Sequence, residues 1–374
     1  MDNHTVKEII SPKSYCDMIE KIDETKKERH FFAAANSKNG FVSYFDDIFG
    51  DESISRIYLL GGGPGSGKST MMKRVAEISK KNGYTTDHIH CSSSPYSLDG
   101  VIIAEKGIAV IDGTAPHTYI PYAAGVREIN IDPGAAWNTN ALFKRRNTIY
   151  ALTDAKKKQY RKAYIYLRAA GLLDTESREM TDPYILHEKL QKNAVSSVLS
   201  ASPKKHSSNP GKISIRIQRA VSSAGNIYFE SFAGAADKTF LINDFRGAAK
   251  IWFDEAYIQA KKCGLDMTVS YSPEDSAIID GIYFPATKTA FTMYAEKFDK
   301  IINCERFADK RGIINIKQKL AFASKTRSSL LAEAYKALAE AGRYHNEIEA
   351  EYYPCTDYSI TDKITSELCE KIFS

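Results

Sequence analysis

The segment 57–78 constrains the fold of this chain more than any other part of its sequence. A run of four apolar residues, Ile57 to Leu60, leads into the glycine-rich stretch GGGPGSGKST, and residues 71–78 follow with helical periodicity. An apolar strand, a glycine loop and a helix in this order are typical of α/β proteins, in which such loops lie at the carboxyl edge of a parallel sheet. The sequence therefore predicts an α/β fold organised around this loop.

The spacing within the loop predicts a ligand as well as a fold. From Gly62 it follows G-x-x-x-x-G-K-S, the pattern of a phosphate-binding loop, which needs glycines because its backbone N–H groups must turn toward phosphate oxygens. Lys68 is expected to reach the β- and γ-phosphates, and Ser69 to bind Mg²⁺ from the first turn of the helix. ATP and Mg²⁺ are thus the predicted cofactors. The candidate nucleotide-binding residues are Gly62, Gly63, Pro64, Gly65, Ser66, Gly67, Lys68, Ser69 and Thr70.

A second metal ligand is expected at the end of a buried strand. The apolar run 108–111 ends at Asp112. A central strand of an α/β sheet delivers such a carboxylate to the edge where ligands bind, so Asp112 is predicted to bind Mg²⁺ directly or through water. The alternative is an aspartate that stabilises the turn 112–114 through its own backbone.

Between the helix and Asp112 lies a polar segment, 87–100, with further candidates. Asp99 is the best candidate for a catalytic base or for a carboxylate behind the metal ligands, and a structural Asp-Gly turn is the competing interpretation. His90 and Cys91 could contact substrate or position an attacking water. A zinc site formed with His88 and His117 lacks the spacing of known ligand sets, so ordinary polar residues at a strand end are the preferred interpretation.

The chain is internally duplicated. Residues 97–101 recur as 278–282, which places Asp280 181 positions after Asp99, and residues 163–171 recur downstream as 334–342. Similarity spread over segments this far apart indicates a duplicated domain, because solenoid repeats are much shorter. The predicted organisation is an amino-terminal extension over 1–29, a domain with the intact loop over 30–200, a linker over 201–212 and a degenerate domain over 213–374.

The second copy of the loop, 243–251, has lost most of its glycines. Asp244 and Phe245 would place negative charge and bulk where phosphate should lie, Ile251 would replace the hydroxyl that binds Mg²⁺, and Lys250 would correspond to Lys68. The second half is therefore predicted to bind no nucleotide. Its Arg246 could still contribute to the first site across a pseudo-symmetric contact, with a surface arginine as the simpler interpretation.

Composition gives no case for a membrane or nucleic-acid ligand. The net charge of +5 over 374 residues is small, no apolar run approaches membrane-spanning length, and the six cysteines form no C-x-x-C pair. These features favour a cytoplasmic protein with reduced thiols. The basic segment 143–164 is interpreted as the solvated face of an amphipathic helix whose core face carries Tyr160, Ala163, Tyr164 and Leu167; a mobile lid and a nucleic-acid-binding surface are the alternatives.

The chain resembles a family of uncharacterised bacterial tandem P-loop ATPases. The resemblance is carried by residues 62–70, 90–93, 97–103 and 112–117, and it extends over nearly the whole chain. It implies two fused nucleotide-binding modules and ATP binding, with no particular substrate. In that family both halves can carry a phosphate loop; this chain departs from the pattern at 243–251 and at 271–272.

Taken together, these patterns predict a Mg²⁺-dependent ATP-binding protein that hydrolyses ATP at the first loop. The absence of an Asn-Lys-x-Asp segment favours ATP over GTP. A small-molecule or nucleotide kinase and a nucleotide-gated switch with little turnover are the alternatives, and they would require an acceptor or a protein partner that the sequence does not identify. The two halves are expected to pack as a pseudo-dimer.

Overall fold

The computed structural model describes residues 27–116, 119–202 and 209–374. Within these ranges, the first half has a β-rich segment of ten strands and helices followed by two further helices, and the second half repeats this order. The elements of the first half are β1 (Glu28–Phe32), β2 (Ala34–Ser37), β3 (Gly40–Ser43), α1 (Phe45–Phe49), β4 (Arg56–Leu60), α2 (Lys68–Lys81), β5 (Thr86–His90), β6 (Leu98–Ile103), β7 (Ile108–Asp112), β8 (Glu128–Ile131), α3 (Thr139–Thr181) and α4 (His187–Ala201). Those of the second half are β9 (Ile213–Ile215), β10 (Arg219–Ser222), β11 (Gly225–Tyr228), α5 (Ser231–Ala235), β12 (Lys238–Asn243), α6 (Ala248–Lys262), β13 (Met267–Tyr271), β14 (Ile279–Phe284), β15 (Thr289–Thr292), β16 (Lys300–Asn303), α7 (Lys310–Tyr352) and α8 (Tyr358–Phe373).

Each half forms a six-stranded sheet, and the two sheets have the same strand order. The first runs β1-β5-β6-β7-β4-β8 and the second β9-β13-β14-β15-β12-β16. Each also has a small separate hairpin, β2–β3 or β10–β11. This agreement extends the duplication seen in sequence to the topology of the described residues.

The sheets are mixed, which corrects the prediction of parallel sheets. β6 and β14 run antiparallel to both of their neighbours, and the remaining pairs of each sheet are parallel. β6 follows β5 through a short connection, and two adjacent strands joined in this way are antiparallel because a parallel pair would need a crossover of a dozen or more residues. The α/β class and the flanking helices are as predicted.

The basic segment 143–164 lies within α3, a helix of 43 residues, and α7 has the same length. The Asn138 side chain caps α3 by accepting from the Ala141 N–H, and Asp309 caps α7 in the same way. Ala163 and Leu167 of α3 are buried against α7. The predicted core face of this helix is therefore confirmed.

The helices that follow α3 and α7 are exchanged between the halves. In α8, at the end of the chain, Leu368, Cys369 and Ile372 complete the core formed by α2 and the first sheet. Leu190 and Val198 of α4 instead complete the core formed by α6 and the second sheet. Each copy is thus packed with a helix from the other, and the domain bounds at 200 and 213 stay a prediction.

Two equivalent backbone hydrogen bonds, one for each exchanged helix, link the halves. The N–H of Asn138 donates to the Cys355 carbonyl at 2.8 Å, and the equivalent N–H of Asp309 donates to the Tyr184 carbonyl at 2.7 Å. Each half therefore fixes the turn that begins the exchanged helix of the other. In this alignment Thr181 and Tyr352, the last residues of the two long helices, are equivalent.

The opposite faces of the two sheets share one core. Phe45 and Phe49 of α1 and strand residues such as Ile57 pack in a cluster that also contains Ile217 and Phe232 of the second half. The two halves therefore contact each other over an apolar interface, as predicted.

Some sequence predictions fall at the edge of the described residues. β1 begins at Glu28, so the last residues of the expected 1–29 extension belong to the first sheet. The linker residues 203–208 and His117 lie outside the described residues. Within the described ranges, no helix combines the length and the apolar character needed to cross a membrane. Cys91, Cys263, Cys304, Cys355 and Cys369 are free thiols.

Candidate phosphate-binding site

The loop 61–67 joins β4 to α2, as the sequence predicted. Gly62, Gly65 and Gly67 have positive φ values of 82°, 69° and 86°, a region that non-glycine residues rarely adopt. Gly67 is the N-cap of α2, so the first N–H groups of that helix face the loop. Ser66 is buried, and its hydroxyl donates to the Gly63 carbonyl at 2.9 Å. The local sequence thus builds a turn whose amides converge at a helix N-terminus, a geometry suited to an anion.

Lys68, the first residue of α2, folds back over the loop. Its Nζ donates to the carbonyl of Gly63 at 2.9 Å and lies 3.4 Å from that of Gly62. The same Nζ is 3.7 Å from Oδ2 of Asp112. The structure therefore brings together the predicted lysine and the predicted metal-binding acid.

Asp112 reaches this point because β7 pairs with β4. The register places Asp112 opposite Leu60, the last residue before the loop. Its Oδ1 accepts hydrogen bonds from the Thr114 N–H at 2.9 Å and the Thr114 hydroxyl at 2.6 Å. One oxygen of Asp112 thus stabilises the turn, as the alternative interpretation expected, and the other faces Lys68. Binding of Mg²⁺ by Asp112 stays a prediction.

Ser69 and Thr70 occupy the first turn of α2. The Ser69 hydroxyl accepts from the Leu98 N–H at 3.0 Å, which fixes its oxygen between α2 and β6. Thr70 is exposed. Ser69 thus has a defined position, whereas Thr70 faces away from the core.

Residues of the second half contact this loop. The sequence predicted that the halves pack together but did not identify these residues. The hydroxyl of Tyr358 donates to the Gly65 carbonyl at 3.1 Å. A Cβ on Gly65 would lie 3.0 Å from Cβ of Tyr352, and one on Gly67 would lie 2.8 Å from Cγ2 of Thr361. Side chains at these two positions would therefore collide with α7 and α8, quite apart from the backbone requirement.

The second loop is two residues shorter, and this changes its alignment. Gly247 is the N-cap of α6 with φ 91°, like Gly67 in α2, so Ala248 and Ala249 stand where the first half has Lys68 and Ser69. The proposed equivalence of Lys250 and Lys68 was wrong. Lys250 lies in the position of Thr70 and pairs with Asp254 at 2.5 Å.

A carboxylate of the second loop binds the amides at the start of α6. Oδ2 of Asp244 accepts from the Gly247 N–H at 3.0 Å, and Oδ1 accepts from the Ala249 N–H at 2.8 Å. These amides correspond to those at the start of α2 in the first half. Arg246 is exposed, with φ 55°, and its predicted contribution to the first site stays a prediction. Tyr352, Tyr358 and Thr361 of the second half contact the first loop.

Asp99 lies in β6 and is buried. Burial and the neighbouring Asp99 carboxylate raise the pKa of the Cys91 thiol well above its ordinary value. The thiol is therefore protonated at neutral pH, which does not favour a role as a nucleophile. The equivalent Asp280 is held by Arg219 and by Ser270, and those two positions are Ala34 and Ile89 in the first half.

The histidines before Cys91 face the core and not the loop. Nδ1 of His90 lies 2.7 Å from the Pro95 carbonyl, and its Nε2 lies 2.9 Å from Nδ1 of His30. Burial lowers the pKa of His90 to about 3, so the ring is neutral at physiological pH. His88 contacts Glu28 instead, at 3.0 Å. In the described residues, no group of three or more His, Cys, Asp or Glu side chains is arranged to hold a metal ion, and the zinc interpretation gains no support.

Two residues near the loop were not recognised from sequence as part of the site. Nζ of Lys156 in α3 lies 3.5 Å from Nδ1 of His345 in α7. Burial lowers the pKa of His345. His345 lies on α7 one turn before Glu349, whose carbonyl oxygen is 3.5 Å from the position of a Cβ on Gly65, so this part of α7 lies close to the loop. The only sequence signal was the duplication, which relates α3 to α7 without showing that they pack together.

Comparison with protein-family models, with curated proteins and with solved structures finds no match to this chain. The resemblance to tandem P-loop ATPases therefore remains a prediction from the motifs.

Proposed function

We propose that the chain binds Mg·ATP at residues 62–70 and hydrolyses it. The observation that carries this proposal is the joint position of three predicted elements: glycine amides at the start of α2, Lys68 folded over the loop, and Asp112 within 3.7 Å of Lys68 Nζ. Asp112 was predicted from a separate part of the sequence. A glycine-rich surface turn would need neither the lysine nor a carboxylate from the neighbouring strand.

Each group has a role in phosphoryl transfer. The amides of the loop and the start of α2 would bind phosphate oxygens, and Lys68 would offset the charge that they carry. Asp112 Oδ2 and the Ser69 hydroxyl are oxygen donors of the kind that Mg²⁺ takes. Two protein ligands are enough because this ion keeps several waters and binds substrate phosphates directly. Bound Mg²⁺ would neutralise charge on the transferred group.

The covering helices α7 and α8 fit the same proposal. Tyr352, Tyr358 and Thr361 contact the loop from the second half and would limit access of water around the phosphates. Water exclusion strengthens charge interactions in a phosphate site. The second half would thus complete the site without binding nucleotide.

Asp112→Asn tests the proposal. This change keeps the shape of the side chain but removes its charge, so turnover should fall about 100-fold or more while ATP still binds through the loop amides. Phosphate release is measured as a function of Mg²⁺ concentration, with Asp254→Asn in the second half as the control. Unchanged Mg²⁺ dependence in Asp112→Asn would contradict the assigned metal role.

The same assay separates hydrolysis from its alternatives. ADP release that depends on an added metabolite panel would indicate a kinase, and tight binding without release would indicate a switch. Release by the protein alone supports hydrolysis.

A further inference from the structure

The contact between Lys156 and His345 joins the two halves beside the candidate site. Lys156 belongs to α3 and His345 to α7, and both side chains are partly buried. Nε2 of His345 lies 3.7 Å from Glu349, which belongs to the same helix. A lysine can donate to an imidazole only while that ring is neutral, so protonating His345 would set two positive charges side by side.

The position of this pair is fixed from several sides. The Glu349 carbonyl oxygen, one turn after His345 in α7, lies 3.5 Å from the place where a Cβ on Gly65 would stand. Tyr160, one turn after Lys156 in α3, hydrogen-bonds Ser93. Burial lowers the pKa of Lys156. The pair therefore lies between the phosphate loop and the segment that follows β5.

The second half shows what stands at the equivalent place. Lys156 corresponds to Arg327 and His345 to Asp174, each 171 positions away, and there Nε of Arg327 pairs with Oδ1 of Asp174 at 2.7 Å. Glu274 lies 4.0 Å from the same guanidinium. The cation of the degenerate half is thus neutralised by carboxylates. In the first half the carboxylate opposite the cation is replaced by an imidazole.

A cation packed against an imidazole favours an anionic ligand. An anion would stabilise Lys156 and would also stabilise the protonated form of His345, so both groups could donate to it. We propose that Lys156 and His345 recognise the terminal phosphate of the nucleotide, so that the α3–α7 pair distinguishes a nucleoside triphosphate from a diphosphate. This inference rests on the proposed nucleotide binding at the first loop.

The terminal phosphate is the group that these residues would reach. Lys68 and Asp112 lie at the end of the loop that receives the β- and γ-phosphates in the proposed function. The part of α7 that follows His345 covers this loop at Gly65, through Tyr352 and the Glu349 carbonyl. A contact supplied by one helix of each half would also couple the nucleotide state to the packing of the halves. Such coupling requires different affinities for the two nucleotides.

The full-length protein is titrated with Mg²⁺ and either a non-hydrolysable ATP analogue or ADP. Lys156→Met should weaken analogue binding about 10-fold, as expected for loss of one charged hydrogen bond, and change ADP binding less than about 2-fold. Lys156→Arg should keep most of the affinity, because arginine stands at the equivalent position 327. His345→Gln should lower the preference for the analogue in the same direction. Lys157→Met, an exposed neighbour, is the control.

The outcomes are distinct. Equal loss of analogue and ADP affinity in Lys156→Met, or an unchanged ratio of the two in both Lys156→Met and His345→Gln, overturns this inference and leaves nucleotide binding intact. A wild-type protein that binds neither nucleotide contradicts the proposed function and this inference with it. Lys156→Arg and His345→Gln keep the test valid if the methionine variant does not fold.

Discussion

The two loops differ in what binds the amide groups at the start of the helix that follows. Both end in a glycine of left-handed conformation that caps a helix, Gly67 and Gly247. In the first loop, the lysine and the acid of the neighbouring strand meet at this point. In the second, Asp244 binds the amides at the helix start itself. A carboxylate of the chain thus takes the role that a phosphate would have in the first half, and the helix N-terminus is satisfied without a ligand.

The second half also contains a buried charge network that the first half lacks at the equivalent positions. Arg219 is buried between Glu274 and Asp280, and its guanidinium lies 4.2 Å from the Tyr294 ring centre. These charges neutralise one another within the protein. Removing one partner of such a buried network would leave an uncompensated charge inside the second half, so these residues depend on one another.

The largest expected effect comes from removing the second half. A chain that ends at Ser202 keeps every predicted phosphate-binding residue but loses α8, which covers α2, and exposes the face of α4 that packs on the second sheet. It should be insoluble or inactive, as judged by soluble yield and ATP turnover. A soluble, monomeric and fully active fragment would show that the exchanged helices are dispensable and that the halves are independent.

A smaller effect is expected from single changes in the exchanged helices. Leu368→Ala and Leu190→Ala each remove a buried side chain from the core of the opposite half and should lower the free energy of unfolding by about 2–5 kcal/mol. Because each helix links both halves, denaturant should unfold the protein in one transition. Leu172→Ala, at an exposed position, is the control and should change little. Two separate transitions, each shifted by only one variant, would contradict the coupling.

The smallest effect concerns the ion pairs of the second half. Burial opposes ionisation of Glu274, but Arg219 and Arg327 outweigh it and lower its pKa from 4.5 to about 2. A lowered pKa stabilises the fold above the unfolded-state value, and this contribution is lost as the pH falls from about 4.5 to 2. Glu274→Gln should therefore reduce the loss of stability over that range, measured by denaturant unfolding at each pH. An unchanged pH profile would remove Glu274 from the neutralising network.

The site was predictable from sequence where its chemistry is local. Loop 61–67 and Lys68 form one continuous segment, and Asp112 ends an apolar run, so spacing alone located them. The second loop was misaligned at Lys250 because its deletion of two residues is visible only from the helix cap at Gly247. Short gaps in a degenerate copy leave no pattern in a single sequence.

The exchange of helices was not predictable for a different reason. An amphipathic helix such as α8 has the same apolar face whichever sheet it covers, so Leu368 and Ile372 do not indicate their partner. The antiparallel β6 was missed because its buried run looks like that of a parallel strand. Lys156 and His345 come from helices far apart in sequence, and only their packing brings them to the loop.

ATP titration compares the two loops most directly. The full-length protein should bind one ATP per chain in the presence of Mg²⁺. Lys68→Ala should weaken binding about 100-fold, because a charged contact to phosphate is lost in a site shielded from water, and Lys250→Ala should leave it unchanged. Binding of two ATP molecules per chain, or equal losses from the two substitutions, would contradict the central claim that only the first loop is a nucleotide site.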